Sequence, residues 1–168
     1  MSVDKVKAYF RSWNLEDRIL EFDVSSATVE LAAEALHCEP KRIAKSLSFM
    51  VDDQCVLIVA AGDARIDNGK YKLQFGKKAK MLNADEVLAY TGHAVGGVCP
   101  FAVKSGVKTY LDISLKRFST VFPACGSSNS AAELSLEELE RLSGAISWID
   151  VCKDWENSVS APSEMEDF

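Results

Sequence analysis

The segment Thr91-Gly92-His93-Ala94-Val95-Gly96-Gly97-Val98-Cys99-Pro100-Phe101 gathers the residues best suited to chemistry. Gly96 and Gly97 let the backbone bend where side chains would obstruct, and Pro100 sets the exit. Consecutive N–H groups in such a turn can converge on one oxygen and polarise a carbonyl without a catalytic side chain. An ordinary tight loop has the same composition. Cys99 and His93 suggest a second chemistry, a thiolate formed by an imidazole, although no Asn or Asp is placed to orient the ring. Lys45 follows Lys41-Arg42-Ile43-Ala44 and precedes an alternating strand, so its ammonium stands at a strand entrance where it could meet a phosphate. A solvated lysine would fit that place equally. Gly126-Ser127-Ser128-Asn129-Ser130 reads as a polar loop. Neither a G-x-S-x-G elbow, a P-loop nor a dinucleotide-binding glycine fingerprint occurs.

Regular elements must position these residues. Val3, Val6, Tyr9, Phe10 and Trp13 recur at helical spacing, and Ile19 to Phe22 is a short strand. Ser25 or Ser26 can cap a helix through Leu31, Ala32, Ala35 and Leu36, with Pro40 at its exit. A hairpin follows: Leu47, Phe49 and Val51 alternate with polar neighbours, Asp52-Asp53-Gln54 turns, and Cys55 to Ala61 is a continuous apolar strand ended by Gly62-Asp63. Asp67 and Gly76 bound a short helix, and Lys80 to Leu82 is a brief strand. Asn83 with Glu86, and Ser135 with Glu138, form capping boxes; Leu82/Val87 and Leu134/Leu139 are their staples, and Gly92 and Gly144 their stops. Strands are expected at Val107 to Leu111, Thr120 to Phe122 and Ala145 to Val151. This order describes one α/β or α+β domain on a mixed sheet. From Lys153 onward the chain turns polar and acidic, the composition of a loosely held tail.

The bulk properties narrow the function classes. With 168 residues, 48% of them hydrophobic, the chain can bury one core, and no window approaches the roughly 20 apolar residues of a membrane helix. A polar start without a secretory signal makes the cytoplasm the expected location. Cys38, Cys55, Cys99, Cys125 and Cys152 are too widely spaced for a zinc site or disulfide framework, so reduced thiols and no metal or cofactor are expected. The net charge of -6 argues against a nucleic-acid partner, but its distribution does not. Lys41 to Arg117 holds 13 Lys/Arg against 7 Asp/Glu, and the rest of the chain 6 against 18. An acidic frame around a basic middle suits an RNA end rather than DNA.

Taken in order, the segments resemble the YbaK family of free-standing aminoacyl-tRNA deacylases and the editing domain of bacterial prolyl-tRNA synthetases. The resemblance rests on Ile43-Ala44-Lys45-Ser46-Leu47, Ala60-Ala61-Gly62-Asp63, Lys77 to Met81 and Tyr90-Thr91-Gly92-His93. It continues through Gly96 to Phe101, Tyr110-Leu111-Asp112 and Leu134 to Leu139, and runs from about Ser25 to Val151. It implies a mostly antiparallel mixed sheet with surrounding helices over residues 1–152, followed by an acidic tail, 153–168. It further implies a trans-editing deacylase that hydrolyses the ester of a mischarged tRNA, with tRNA-Pro carrying a small non-cognate amino acid as the expected substrate. The implied partners are the aminoacyl-tRNA acceptor end and prolyl-tRNA synthetase.

By this resemblance Lys45 holds the acceptor end, and Gly96, Gly97 and Val98 position the ester in a G-x-x-x-P loop closed by Pro100. Ser46, Asp63, His93, Gly126 and Ser127 are then expected around the substrate. Cysteine-selective members carry a glycine- and arginine-containing stretch near Gly126 to Ala132; Ser, Asn and Ala stand there in this chain, which points away from cysteine. Two alternatives remain open at this stage: a non-catalytic tRNA- or nucleotide-binding module, and a thiol hydrolase using Cys99.

Overall fold

In the computed structural model, which describes residues 2–155, the chain opens with α1 (Ser2–Arg11) and β1 (Ile19–Glu21). Next come α2 (Val29–Leu36), the hairpin β2 (Ile43–Val51) and β3 (Gln54–Ala61), then β4 (Arg65–Ile66), α3 (Asn68–Phe75) and α4 (Ala84–Thr91). The second half holds β5 (Lys108–Asp112), β6 (Thr120–Pro123), β7 (Ser130–Ala132) and β8 (Leu134–Ser135). It ends with α5 (Leu136–Ser143), β9 (Trp148–Ile149) and β10 (Cys152–Lys153).

The main sheet has the order β8-β6-β2-β3-β5-β9. Its longest pair, β2 with β3, is antiparallel, as is β6 with β8; β6 joins β2, β5 joins β3 and β9 joins β5 in parallel. Two small antiparallel ribbons, β1 with β7 and β4 with β10, are added to it. This is the α+β arrangement of a mixed sheet with surrounding helices. β3 lies at its centre, which is why Cys55 to Ala61 is apolar without alternation: all seven residues are buried. Phe10, Phe49, Tyr71, Phe101, Leu111 and Leu139 are among those that fill the core around it.

Local signals decide most element ends. Both capping boxes form, and Gly76, Gly92 and Gly144 adopt left-handed backbone at their helix ends. Leu82, Val87, Leu134 and Leu139, the two staples, are buried. Four details differ from the sequence reading. Thr28, not Ser25 or Ser26, caps α2, accepting from the Leu31 N–H at 3.2 Å. Ser26 is drawn off to the Ser128 carbonyl, to which its N–H donates at 2.6 Å. Gln54 pairs with Val51, leaving Asp52 and Asp53 as a two-residue turn with Asp52 at φ 55. Ala145 to Val151 is not one strand: the Val151 N–H turns to the buried Asp112 carboxylate, 2.9 Å away, and β9 and β10 fall on either side. All five cysteines are free thiols; Cys38 is half-buried and the others buried. The expected acidic tail lies outside the described residues from 156 onward, while Lys153 pairs with Arg65.

Candidate active site

β2 carries Lys45, Ser46 and Ser48 into a pocket of about 300 Å³. Ala27, Thr28 and Val29, leading into α2, form one wall. Gly96 and Val98 adjoin it, for a Cβ on Gly96 would lie 3.2 Å from that of Ala27. Met81, bridged to Phe49, comes from the segment before α4, Val87 from α4 itself, and Phe122, Ser130 and Ala131 from the β6 and β7 region. Met81 and Val95 stay largely exposed and give the pocket an apolar mouth.

The glycine loop is a tight turn. The Gly97 N–H donates to the Ala94 carbonyl at 3.0 Å, and Gly96, at φ +96, takes the third position, which in a type II turn demands positive φ. Gly97 has no room for a side chain: a Cβ there would fall 2.7 Å from the Ser127 nitrogen. Backbone therefore packs on backbone, and the 126–130 segment braces the loop from behind. That segment is anchored in turn, with the Phe22 N–H on the Asn129 carbonyl at 2.8 Å and the Asn129 side chain on the Phe22 carbonyl at 2.9 Å. The turn also changes which amides can serve an oxyanion. Gly97 has spent its N–H inside the loop, whereas the Gly96 and Val98 amides have no backbone partner among the described residues.

Among the described residues, Lys45 is the single ionisable one that lines the pocket. Its Nζ donates to the Ala64 carbonyl and, at 3.3 Å, to that of Gly62. Burial pulls its pKa below the ordinary lysine value, opposed by the charge of Asp63. The Ser46 Oγ is buried beside it and has no hydrogen-bond partner among the described residues. A bound polar group would satisfy that hydroxyl.

The other expected contacts are placed elsewhere. His93 is fully buried and outside the pocket lining. Its Nε2 lies 2.7 Å from the Phe101 carbonyl, an acceptor, so Nε2 carries the proton and Nδ1 accepts from the Ser2 hydroxyl. Burial lowers its pKa, so the neutral ring is favoured. Cys99 sits 3.6 Å from that same Nε2, which is already a donor and cannot take the thiol proton. Burial pushes the Cys99 pKa up to about 12. The thiolate route is closed, and Cys99 and His93 are core residues under the loop. Pro100 is also buried outside the lining, as the loop's exit. Gly126 packs on the Ser2 carbonyl, and Ser127 bonds Asn129 at 2.9 Å and Ser130 at 2.7 Å, so both brace the loop rather than line the pocket. Asp63 forms an ion pair with Arg117. The structure thus brings Lys45, Ser46, Gly96 and Val98 together, and adds Ala27, Thr28, Ser48, Met81, Phe122 and Ala131, which sequence reasoning missed. None of these carries a local signal of a site; the cap at Thr28 came nearest.

The lining offers hydroxyls, one ammonium and backbone amides, with no carboxylate or imidazole to act as general base among the described residues. Such a site can position a polar, anionic ligand and stabilise a developing oxyanion. The sequence model of the aminoacyl-tRNA editing domain matches residues 24–142. Protein YwhH of Bacillus subtilis, itself uncharacterised, is 58% identical over 157 residues, covering 93% of this chain and 100% of that protein. The proline–tRNA ligase of Halalkalibacterium halodurans is 35% identical over 104 residues, 61% of this chain but 18% of the ligase. A solved structure described as a proposed trans-editing enzyme for prolyl tRNA synthetase superposes with a TM-score of 0.81 at 28% identity, covering 90% of this chain and 97% of the other. The chain belongs to the aminoacyl-tRNA editing domain family.

Proposed function

We propose that this protein is a trans-editing deacylase that hydrolyses the ester of a mischarged tRNA, tRNA-Pro carrying a small non-cognate amino acid. The observation that carries the proposal is the pairing, in one 300 Å³ pocket, of a half-buried lysine with a glycine turn whose Gly96 and Val98 amides are unspent. The likeness to prolyl-tRNA ligases and to a proposed trans-editing enzyme for prolyl tRNA synthetase supports the choice of tRNA. Recruitment by prolyl-tRNA synthetase and action in the cytoplasm, where aminoacyl-tRNA is made, belong to the same proposal.

In this mechanism the terminal adenosine enters past Met81 and Val95, and Lys45 pairs with its phosphate or ribose. The Val98 amide, with that of Gly96, polarises the ester carbonyl; one such donor is worth roughly 3 kcal/mol. Water attacks the carbonyl carbon, the bond to the ribose oxygen breaks, and that oxygen takes the proton. The neighbouring ribose hydroxyl relays it, since the described residues of the pocket lining supply no side-chain base. An ester is already activated, so positioning supplies most of the remaining catalysis. Such a second site is useful because synthetic sites separate small isosteres by only about a hundredfold.

The test is a panel of Ala-, Ser-, Thr- and Cys-charged tRNAs, each on tRNA-Pro and on its cognate tRNA, followed for ester loss. Selective loss from mischarged tRNA-Pro is expected, with cysteine the poorest substrate. Lys45→Ala should lower kcat/KM on the best substrate about a hundredfold while leaving circular dichroism unchanged. An intact ester across the whole panel would sink the proposal.

A further inference from the structure

Lys45 does not stand alone at the pocket. The carbonyls that hold its ammonium belong to Gly62 and Ala64, the two neighbours of Asp63. Asp63 in turn is gripped by Arg117 from the short helical turn after β5: Nη2 donates to Oδ1 at 2.6 Å and Nη1 to Oδ2 at 3.0 Å. This is the two-pronged geometry that a guanidinium makes and an ammonium cannot. The Arg117 side chain is only 9% exposed, and its remaining donors are also engaged. Nε donates to the Ser114 carbonyl at 2.9 Å, and Nη1 also to the Trp155 carbonyl at 3.2 Å. The rings of Phe118 and Trp155 lie 4.8 and 5.2 Å from the guanidinium carbon.

The 62–64 loop has little freedom. A Cβ on Gly62 would fall 2.0 Å from the Pro40 carbonyl, and the Ala64 N–H bonds the Ala61 carbonyl at 2.9 Å. Directly after it, β4 pairs with β10, so the segment from Cys152 to Trp155 closes over the loop from the far end of the chain. That segment lies beyond residue 142, where the match to the family's sequence model stops.

We propose that Arg117 is a positioning residue for Lys45: it holds the Asp63 carboxylate, thereby fixes the two carbonyls that carry the ammonium, and is itself locked by the segment ending at Trp155. The arrangement does two things at once. It sets the place of the ammonium through two hydrogen bonds, and it binds the Asp63 carboxylate to a cation other than Lys45, so that the lysine's charge is left for a phosphate. The consequence for turnover rests on the deacylase reading; the geometry of the clamp does not.

The test reads Lys45 directly. Its reactivity toward trace acetic anhydride, followed by mass spectrometry against pH in the full-length protein, gives its titration without any tRNA. The charged groups that act on it are Asp63, Arg65 and Glu30; Asp63→Asn removes one of these charges, and Arg117→Met removes the cation that holds it. Asp63→Asn removes the charge that favours the ammonium, so the Lys45 titration should move down by roughly one pH unit. Arg117→Met frees the carboxylate to act on Lys45, so the titration should move up by a similar amount. Loss of packing alone would not move the two in opposite directions. Both variants should lose tenfold or more in kcat/KM on the best mischarged tRNA, and Arg117→Lys should recover only part, as expected for about 1 Å of misplacement. Should Arg117→Met fail to fold, the neutral, polar Arg117→Gln carries the upward shift and the isosteric Asp63→Asn the downward one. An unchanged Lys45 titration in folded Asp63→Asn and in the folded neutral variant of Arg117 overturns the clamp. A wild-type protein that leaves every ester intact overturns the deacylase reading instead, and the labelling still decides the clamp.

Discussion

At the scale of single residues, the glycine loop and its support divide the work. Gly96 supplies the positive φ of the turn, whereas Gly97 supplies absence of volume, with Ser127 backbone where its side chain would be. Gly97→Ala should therefore cost about 2 kcal/mol, the usual effect of overpacking, and displace Val98 from the pocket. Urea unfolding should show the first and deacylation kinetics the second; a neutral substitution would mean that the two loops are not in contact. His93 makes a different prediction. Burial lowers its pKa, so below about pH 6.5 the unfolded chain binds a proton that the folded protein resists. Its contribution is complete above that value and is lost as pH falls toward the lower folded value. Unfolding free energy should decline on acidification before the carboxylates begin to titrate near 4.5, and His93→Gln should remove that early decline. A stability flat from about pH 7 to 5 would count against a neutral, buried imidazole.

At the scale of elements, helix ends aim the site. α4 begins at a capping box, with the Asn83 side chain 2.9 Å from the Glu86 N–H and the Glu86 carboxylate 2.9 Å from the Asn83 N–H. It stops at Gly92, one residue before His93 and the loop. Asn83→Ala should cost about 1 kcal/mol in urea unfolding and leave kcat within about twofold, because the cap is exposed and the loop is braced separately by residues 126–130. A larger loss of kcat than of stability would show that the loop depends on the cap. The β2–β3 hairpin has the other aiming role. Its register sets Lys45 opposite Ala60, so the ammonium reaches the carbonyls just past the end of β3.

At the scale of the molecule, net charge and charge placement act against each other. The protein carries -6 overall, yet its basic residues concentrate between Lys41 and Arg117, the stretch that holds Lys45 and the glycine loop. Binding of tRNA should weaken as salt rises from 50 to 200 mM, with a log–log slope of a few units, about 0.9 for each duplex phosphate neutralised. Filter binding or fluorescence anisotropy at several KCl concentrations checks this. Affinity independent of salt would remove the electrostatic part of recognition.

The sequence alone determined the elements whose signals lie within a few residues of one another. Both capping boxes, their staples and glycine stops, the β2–β3 hairpin and the buried central strand were legible because an N-cap bonds three residues away and a two-residue turn needs no distant partner. The candidates Lys45, Ser46, Gly96 and Val98 were legible as types. That they share a pocket was a matter of tertiary structure, since β2 and the loop are about fifty residues apart in the chain. The same limit explains the misplacements. Which loop amide is spent, whether His93 faces substrate or core, and whether Asp63 meets substrate or Arg117 all depend on groups far away in sequence. Two-residue strands such as β4 and β10 exist only through each other. A pattern of residue types fixes periodicity and caps, but only chain closure fixes what a side chain meets, and the chemistry of this site is made of those meetings.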